Sequence, residues 1–506
     1  MAQGGIRKGF FFYFGLLVLL VIAVFLIILV ILFFNPGKTI LGLQYFTNGE
    51  TVQLQTTTDD ETPFNFTSGG NVRSIDIDCS YANVYVQVSE DIHENCVQIT
   101  NEASGFATYK QARPYEYSVT LEGTTLKIDV TESVGFLYFS RNVSIIINIE
   151  ARYFDGSVSY DGNYQGITFD IQTTSGNVYL GTGASNAYEI RPNNVMVETT
   201  SGNIYLSKNL DLSGMNTLSL ETGSGEITTD SYNVSVDGGS NLNGRGIVMN
   251  SGEVNLTTNT GLMDFDLIRI NNNGVLNLSN ENGNMTIGEI DVNSVNLNAL
   301  EGNYYFDKVT ANILSFTPSE DRIESPNIRV GSLTGDFVIS SSENNSTPNI
   351  NIDKLVGDFA STGVNGSFNI GEITGEVRVD TRSGSLNVNF ASSGTLYTDT
   401  ITTERGNITV GFLGVCNHDM NIWTDSGKVT INVVDETGFT STVYDYVEYS
   451  KDEAERTPLA NDTDRITVNI GTHEAVKNPL DINPSTGSSK GTFTIFTNDE
   501  VEYVKE

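Results

Sequence analysis

Side chains able to move protons or electron pairs occur in this chain, but sequence spacing does not gather them. Asp76 with Asp78, and Asp264 with Asp266, stand at i, i+2. That spacing puts both carboxylates of a pair on one face of a strand. Such a pair, joined by a calcium ion and by a basic residue or an acid of raised pKa, could cleave a polysaccharide, because acid-base hydrolysis needs one protonated and one ionised group. The chain carries 62 acidic residues against 27 basic ones, so pairs of this kind arise without any function and no catalytic residue is assigned. His93, His418 and His473 lie far apart without metal-ligand spacing. Each reads as a surface or loop residue, and no metal or cofactor residue is assigned. No Gly-rich turn runs into Lys-Ser/Thr at the start of a helix, which excludes a phosphate loop. Trp423 falls at an outward-facing position, where an indole could stack on a sugar or a partner, or join a ladder between strands.

What would position these groups is a repeat. A Gly-centred turn recurs in fixed register, as in Thr173-Thr174-Ser175-Gly176-Asn177-Val178 and Thr199-Thr200-Ser201-Gly202-Asn203-Ile204. Apolar residues fall at minus seven, minus five, plus two and plus four from the turn. The pattern holds for Val195, Val197, Ile204 and Leu206 around Gly202, for Leu276, Leu278, Met285 and Ile287 around Gly283, and for Val295, Leu297, Tyr304 and Phe306 around Gly302. It returns with Ile328, Val330, Phe337 and Ile339 around Gly335, and with Met420, Ile422, Val429 and Ile431 around Gly427. Residues two apart share a strand face, so each unit reads as two short strands with apolar inner faces, joined by a turn whose glycine supplies positive φ.

The turns at 176, 202, 225, 252, 283, 302, 335, 357, 384, 406 and 427 average about 25 residues apart, a solenoid spacing rather than that of a sandwich. From Gly357 to Gly384 they come every nine residues, through Gly366 and Gly375. Three such segments give a predicted 27-residue, three-sided coil that rises roughly 4.8 Å. The fold class is therefore all-β, a parallel β-helix of about eleven coils with outward Thr, Ser and Asn in ladders, and an antiparallel meander is the alternative.

Phe10 to Phe34 is an unbroken apolar run. At about 1.5 Å per residue its 25 residues reach some 37 Å, enough for a tilted crossing of a bilayer core of about 30 Å. Arg7 and Lys8 precede it, which predicts a cytoplasmic N-terminus and an extracellular remainder at the plasma membrane. The run exceeds the apolar region of a cleaved signal peptide and leaves through Asn35-Pro36-Gly37 without an Ala-x-Ala site, so it reads as an uncleaved signal anchor. The formal net charge of −35 argues against nucleic acid or anionic lipid as a partner. It serves solubility, and the calcium-binding Gly-Gly-x-Gly-x-Asp repeat is absent.

Three cysteines are too few for a disulfide scaffold. Cys79 shares the parity of Ile75 and Ile77 whereas Cys96 is out of phase with Val97 and Ile99, which disfavours a bridge between them. Eleven Asn-x-Ser/Thr sequons, at Asn65, Asn142, Asn233, Asn255, Asn277, Asn284, Asn344, Asn345, Asn365, Asn407 and Asn461, are no more than an Asn-, Ser- and Thr-rich chain produces by chance.

The organisation expected is a cytoplasmic tail (1–9), a membrane helix (10–34), a polar Thr-rich stalk (35–60), a β-rich capping module (61–150), the solenoid (151–435) and a C-terminal cap (436–506). Strands are expected over 74–79, 83–88, 97–100, 115–121, 125–130 and 143–149, and again over 466–470 and 492–496. Residues 440–461 read as a loop or short helix.

The residues carrying this register also carry a resemblance. Ser74-Ile75-Asp76-Ile77, Ala82-Asn83-Val84-Tyr85-Val86, Thr125-Leu126-Lys127-Ile128 and Ser144-Ile145-Ile146-Ile147, leading to Thr173-Thr174-Ser175-Gly176, resemble the domain family of adhesin candidates also called toastrack domains. The likeness covers roughly residues 70–430. It departs at Asn148-Ile149-Glu150-Ala151, where a Pro-containing segment is expected. The resemblance implies a cell-surface role in adhesion or envelope-stress sensing and brings no catalytic residues. The expected function is thus a membrane-anchored, non-catalytic surface binder or scaffold, with a glycan or protein as ligand. A stress sensor and a polysaccharide-acting β-helix enzyme are the alternatives, the sensor disfavoured because only nine residues precede the apolar run. Outward positions and the off-register insert Ser340 to Asn349 are where a ligand would bind.

Overall fold

A computed structural model describes residues 4–36, 38–55, 72–89, 96–108, 115–132, 137–150, 167–182, 190, 192–207, 210–229, 232–236, 240–318, 325–341, 347–435, 437–459, 465–470, 478–483 and 490–505. The chain forms two compact units, Met1–Ile190 with Val197–Leu210, and Arg191–Met196 with Asp211–Glu506. Apart from the N-terminal helix Gly4–Phe33 and two short 3-10 turns, the described elements are strands. Most of them pair in parallel.

In the first unit, the strand Ser74–Cys79 lies between Thr125–Glu132 and Thr168–Thr173. Asn83–Ser89 likewise lies between Leu137–Glu150 and Val178–Thr182, and the latter pairs with Ile204–Leu206. The first parallel coil is therefore covered on one side by strands that follow it and extended on the other by strands that follow those. The covering strands are closed by antiparallel partners: Tyr115–Glu122 on Thr125–Glu132, and Cys96–Thr108 on Leu137–Glu150. Antiparallel strands thus cap the parallel stack at that end.

The polar stalk expected over 35–60 is instead largely sheet. Thr39–Ile40 and Leu43–Gln55 form a hairpin, and Leu43–Gln55 pairs along its whole length with Cys96–Thr108. The helix end joins the same structure, for Leu32 is buried against Tyr45 and Phe106 with Ile28, Leu29, Ile40 and Leu43 around them.

The second unit is a stack of coils. All twenty apolar positions of the register, here and in the first unit, are at most 2% exposed, so turn-relative parity does report the core face. At roughly 1.5–3 kcal/mol per buried Val, Leu, Ile or Phe, this inner face is the main stabilising term.

The coil is shorter than the predicted 27 residues. Ile350 pairs with Phe368, Phe368 with Leu386 and Phe359 with Val377, a step of 18. Elsewhere Ile328 pairs with Ile350 and Leu386 with Ile408, a step of 22, while Leu276 pairs with Val295, a step of 19. The nine-residue spacing is half a coil. Three faces still fit into 18 residues because the strand Asn349–Val356 turns a corner at Asp353-Lys354, where two consecutive residues face solvent.

The turn glycines are required for two different reasons. At Gly406 φ is +143°, and a Cβ would lie 1.7 Å from the carbonyl oxygen of Gly384 one coil away. At Gly202 the backbone lies outside the left-handed region, and close approach alone decides: a Cβ would meet the Gly176 oxygen at 1.8 Å. Positive φ, expected at every turn, thus accounts for only one class. A side chain caps the turn locally. The inward residue at minus three accepts the glycine N–H: Thr173 from Gly176 (3.0 Å), Thr199 from Gly202 (2.8 Å), Thr222 from Gly225 (2.9 Å), Thr258 from Gly261 (2.8 Å) and Asn280 from Gly283 (2.6 Å). Buried polar groups need such partners.

The C-terminal end closes out of order. Gly491–Thr497 lies between His418–Ser426 and Phe439–Asp445, and Val501–Lys505 between Val429–Val433 and Ile466–Asn469. The last two strands fill a layer beneath strands that precede them in sequence.

Candidate functional site

The carboxylate pairs are engaged in the sheet rather than gathered around a reaction centre. Asp264 and Asp266 clamp one guanidinium: Arg245 Nη1 donates to Asp264, Arg245 Nη2 lies 3.5 Å from Asp266 Oδ1, and the Arg245 N–H donates to Asp266 Oδ2 at 2.7 Å. Asp76 lies in register with Lys127 on one side and Asp170 on the other, while Asp78 lies between Asp129 and Gln172. Burial, then the nearby Asp76 and Glu198, push the Asp170 carboxyl up. Among the described residues no group of three or more His, Cys, Asp or Glu could hold a metal ion. Cys79 is buried, as its parity indicated. His93, His473 and residues 342–346 of the insert Ser340 to Asn349 lie outside the described residues.

His418 is not a surface residue. It is 2% exposed at the start of the strand His418–Ser426, with Nδ1 2.8 Å from Oδ2 of the fully buried Asp399. Its ring lies 4.1 Å from Phe390 and 5.2 Å from Tyr397, centroid to centroid. Asp399 Oδ1 also accepts the Val377 N–H at 2.8 Å. Burial pushes the Asp399 carboxyl up, against the pull of His418. Packed among rings and bonded to the backbone, the pair ties coils together.

Cys416, next to it and fully buried, has its thiol pushed by burial from the ordinary value of 9.0 to about 12. Between those values the unfolded thiol is ionised and the folded one is not, so the native state holds the extra proton and stability falls as pH rises. The expected slope is a loss of about 1.4 kcal/mol per pH unit. Chemical denaturation at stepped alkaline pH should show Cys416→Ala with the shallower dependence, and equal slopes would contradict this burial. Tyr503, raised by the same cause, adds its own loss at higher pH in both proteins.

A concave site lies instead at a corner of the second unit. A groove of about 540 Å³ is lined by Asn250, Ile270, Asn271, Asn272, Asn273, Asp291, Val292, Asn293 and Asn312. Successive coils deliver these residues: the Asn271 N–H donates to Met249 O (3.0 Å), and the Asn312 N–H to Asn293 O (2.9 Å). Asn272 and Asn273 hold φ of 47° and 64°, a left-handed pair that Asn tolerates better than most residues.

Part of the lining is fixed by its own hydrogen bonds. Asn272 Nδ2 donates to Asn250 O (3.0 Å), Asn312 Nδ2 to Asn293 Oδ1 (2.7 Å), and Arg269 Nε to Asp291 Oδ2 (2.9 Å). The exposed amides of Asn271 and Asn273 make no hydrogen bond to another described residue. Each offers two donors and an acceptor with no charge. This chemistry suits a hydroxyl-rich ligand, and the one ionisable group of the lining, Asp291, is held by Arg269.

Residues 72–267 match the family model described as Toastrack DUF4097. This stretch is a Toastrack domain. No curated protein sequence matches the chain significantly. Solved structures with which it shares a likeness include an adhesin candidate from Bacteroides fragilis, at 9% identity over 76% of this chain and 97% of that one, with a TM-score of 0.17. A candidate cell adhesion protein from Clostridium sporogenes aligns at 7% identity over 90% and 99%, TM-score 0.14. A candidate lipid-binding protein from Parabacteroides distasonis aligns at 11% over 76% and 96%, TM-score 0.19.

The Toastrack segment supplies Asn250 to the groove, and the coils that follow it supply the rest. Sequence reasoning missed these residues, although the run Asn271-Asn272-Asn273 before Gly274 was a visible break in the register. Beyond the Toastrack segment Trp423 faces outward, as its parity predicted, but it is half-buried in a ladder. It pairs with Phe496, and its ring lies 4.8 Å from Tyr446 and 5.6 Å from Tyr449. Arg456 covers Phe496 at 5.0 Å. Three of the sequon asparagines have structural partners too: Asn277 Nδ2 donates to Asn255 Oδ1 (2.6 Å), and buried Asn365 accepts the Ser383 N–H (2.9 Å).

Proposed function

We propose that the protein is a membrane-anchored surface protein that binds a hydroxyl-rich ligand such as a glycan, an adhesin-like role without catalysis. The observation that carries the binding role is the amide-lined corner groove, whose uncommitted Asn271 and Asn273 match hydroxyl groups in kind. The coils that line it are tied to one another by ladders such as Asn296–Asn277–Asn255. A site on rigid elements holds its geometry.

Anchoring rests on the apolar stretch Phe12–Phe33, with mean hydropathy 3.8, and on the burial of Leu32 against Tyr45 and Phe106. A signal peptide cut away after this helix would strip an aromatic cluster of its cover. The N-terminus, with Arg7 and Lys8, then lies in the cytoplasm and the β-units lie outside. Mass spectrometry of the membrane-bound protein should find the helix still attached, and a new N-terminus beyond residue 34 would refute anchoring.

Binding is tested with the full-length protein in detergent micelles on a glycan array. Asn271→Ala combined with Asn273→Gly keeps the left-handed backbone and removes two amides. At about 0.5–1.5 kcal/mol per hydrogen bond, retention should fall by roughly ten- to a hundredfold. Unchanged retention would move the site elsewhere.

A further inference from the structure

The hairpin Thr39–Ile40/Leu43–Gln44 has a two-residue turn, Leu41-Gly42, with φ of +53° and +79°. Positive φ at both central positions is the type I′ geometry, which favours Asn-Gly and penalises a residue with a branched side chain. Here the first position holds a leucine, and that leucine is 84% exposed. An aqueous loop would gain from Asn on both counts, in backbone fit and in solvation. The choice makes sense where the surroundings are apolar.

The neighbourhood supplies such surroundings. Ile40 and Leu43, which flank the turn, pack on the cluster of Leu32, Tyr45 and Phe106, as do Ile28 and Leu29 of the helix. The cluster thus draws on the helix from Ile28 to Leu32, a span of about 6 Å at 1.5 Å per residue. If the helix spans a bilayer, a depth of 5–10 Å is that of side chains seated at the boundary of headgroups and acyl chains. Phe34, 74% exposed, and Lys38, also exposed, stand between the helix and the hairpin. An aromatic ring and a lysine with a long apolar stem both suit that boundary.

We infer that the Leu41-Gly42 turn inserts into the interfacial zone of the leaflet at the C-terminal end of the helix. The inference rests on the membrane-anchor reading. With the helix it gives the first unit two points of attachment, which restrict tilt and swivel against the membrane surface. The occupant of the turn's apolar face is lipid, because the face continues the side of a helix whose other residues, such as Leu26, are themselves exposed.

The chain has a single tryptophan, which makes the test direct. In a Trp423→Phe background, Leu41→Trp and, separately, Leu26→Trp are reconstituted as full-length protein in phosphatidylcholine vesicles that carry lipids brominated high on the acyl chain. The expected result is blue-shifted emission and strong quenching for both. Quenching at position 26 with red-shifted, unquenched emission at 41 overturns the hairpin while leaving the anchor intact. Blue-shifted but unquenched emission at 41 shows a protein partner or a second copy there and also overturns it. Loss of quenching at both positions removes the anchor reading itself. Lys38→Trp, which leaves the turn untouched, guards against a local folding defect and should be quenched as Leu41→Trp is.

Discussion

Ending the chain at Lys490 is expected to unravel the C-terminal end of the second unit and expose Trp423. The deleted strands contribute Phe493, Ile495, Phe496, Val501 and Tyr503, each at most 1% exposed. At about 1.5–3 kcal/mol apiece their loss removes roughly 8–15 kcal/mol as an upper bound, the size of a whole domain's stability. The position of these strands makes matters worse. Gly491–Thr497 lies between His418–Ser426 and Phe439–Asp445, so its removal leaves Phe439–Asp445 without the partner through which it reaches the stack. Coils contact only their neighbours, so the damage should stop near the end. Trp423 emission should move to the red and amides of 418–470 should lose hydrogen-exchange protection, while those of 327–390 keep theirs. Emission and protection like those of the intact chain would refute the interleaved order.

Asp399→Ala is expected to cost about 3–5 kcal/mol, the usual penalty for removing one partner of a buried ionisable pair. The substitution strands His418 Nδ1 and the Val377 N–H in a core of Phe390, Tyr397 and Phe412 rings. The paired change Asp399→Leu with His418→Leu should recover most of the loss, because an apolar pair leaves only the Val377 N–H unsatisfied. Thermal unfolding of Asp399→Leu, His418→Leu and the double variant closes the cycle. Additive losses would mean that the two residues do not act as a pair.

Much of this was legible in the sequence, and the failures have physical causes. Residues such as Leu276 and Met285 showed their inward direction because strand parity is fixed by covalent geometry and the turn glycine marks where it resets. The same parity continues to minus three and minus nine, so Thr199 and His418 were also marked as inward. A polar residue at an inward position was read as a surface residue because its partner, Asp399, lies 19 residues away and coil length alone brings them together. Coil length was the missing quantity. A nine-residue period fits two or three segments per turn equally well, and only pairings such as Phe359 with Val377 decide between them.

The groove was hidden for the same reason. Asn250, Asn272, Asn293 and Asn312 meet only once steps of 19 to 22 residues are known. Leu43–Gln55 was read as stalk because its partner strand, Cys96–Thr108, is far away in sequence and its own composition is polar. In contrast, the apolar helix was evident from composition alone.

The most direct test of the central claim, binding without catalysis, is to incubate full-length protein in detergent micelles with a panel of surface polysaccharides and follow retention and polymer chain length in one experiment. The account predicts at least one polysaccharide retained at unchanged length, with retention lost in the Asn271→Ala, Asn273→Gly variant. Shortening of any polymer by the protein, abolished by a single carboxylate substitution, would contradict it.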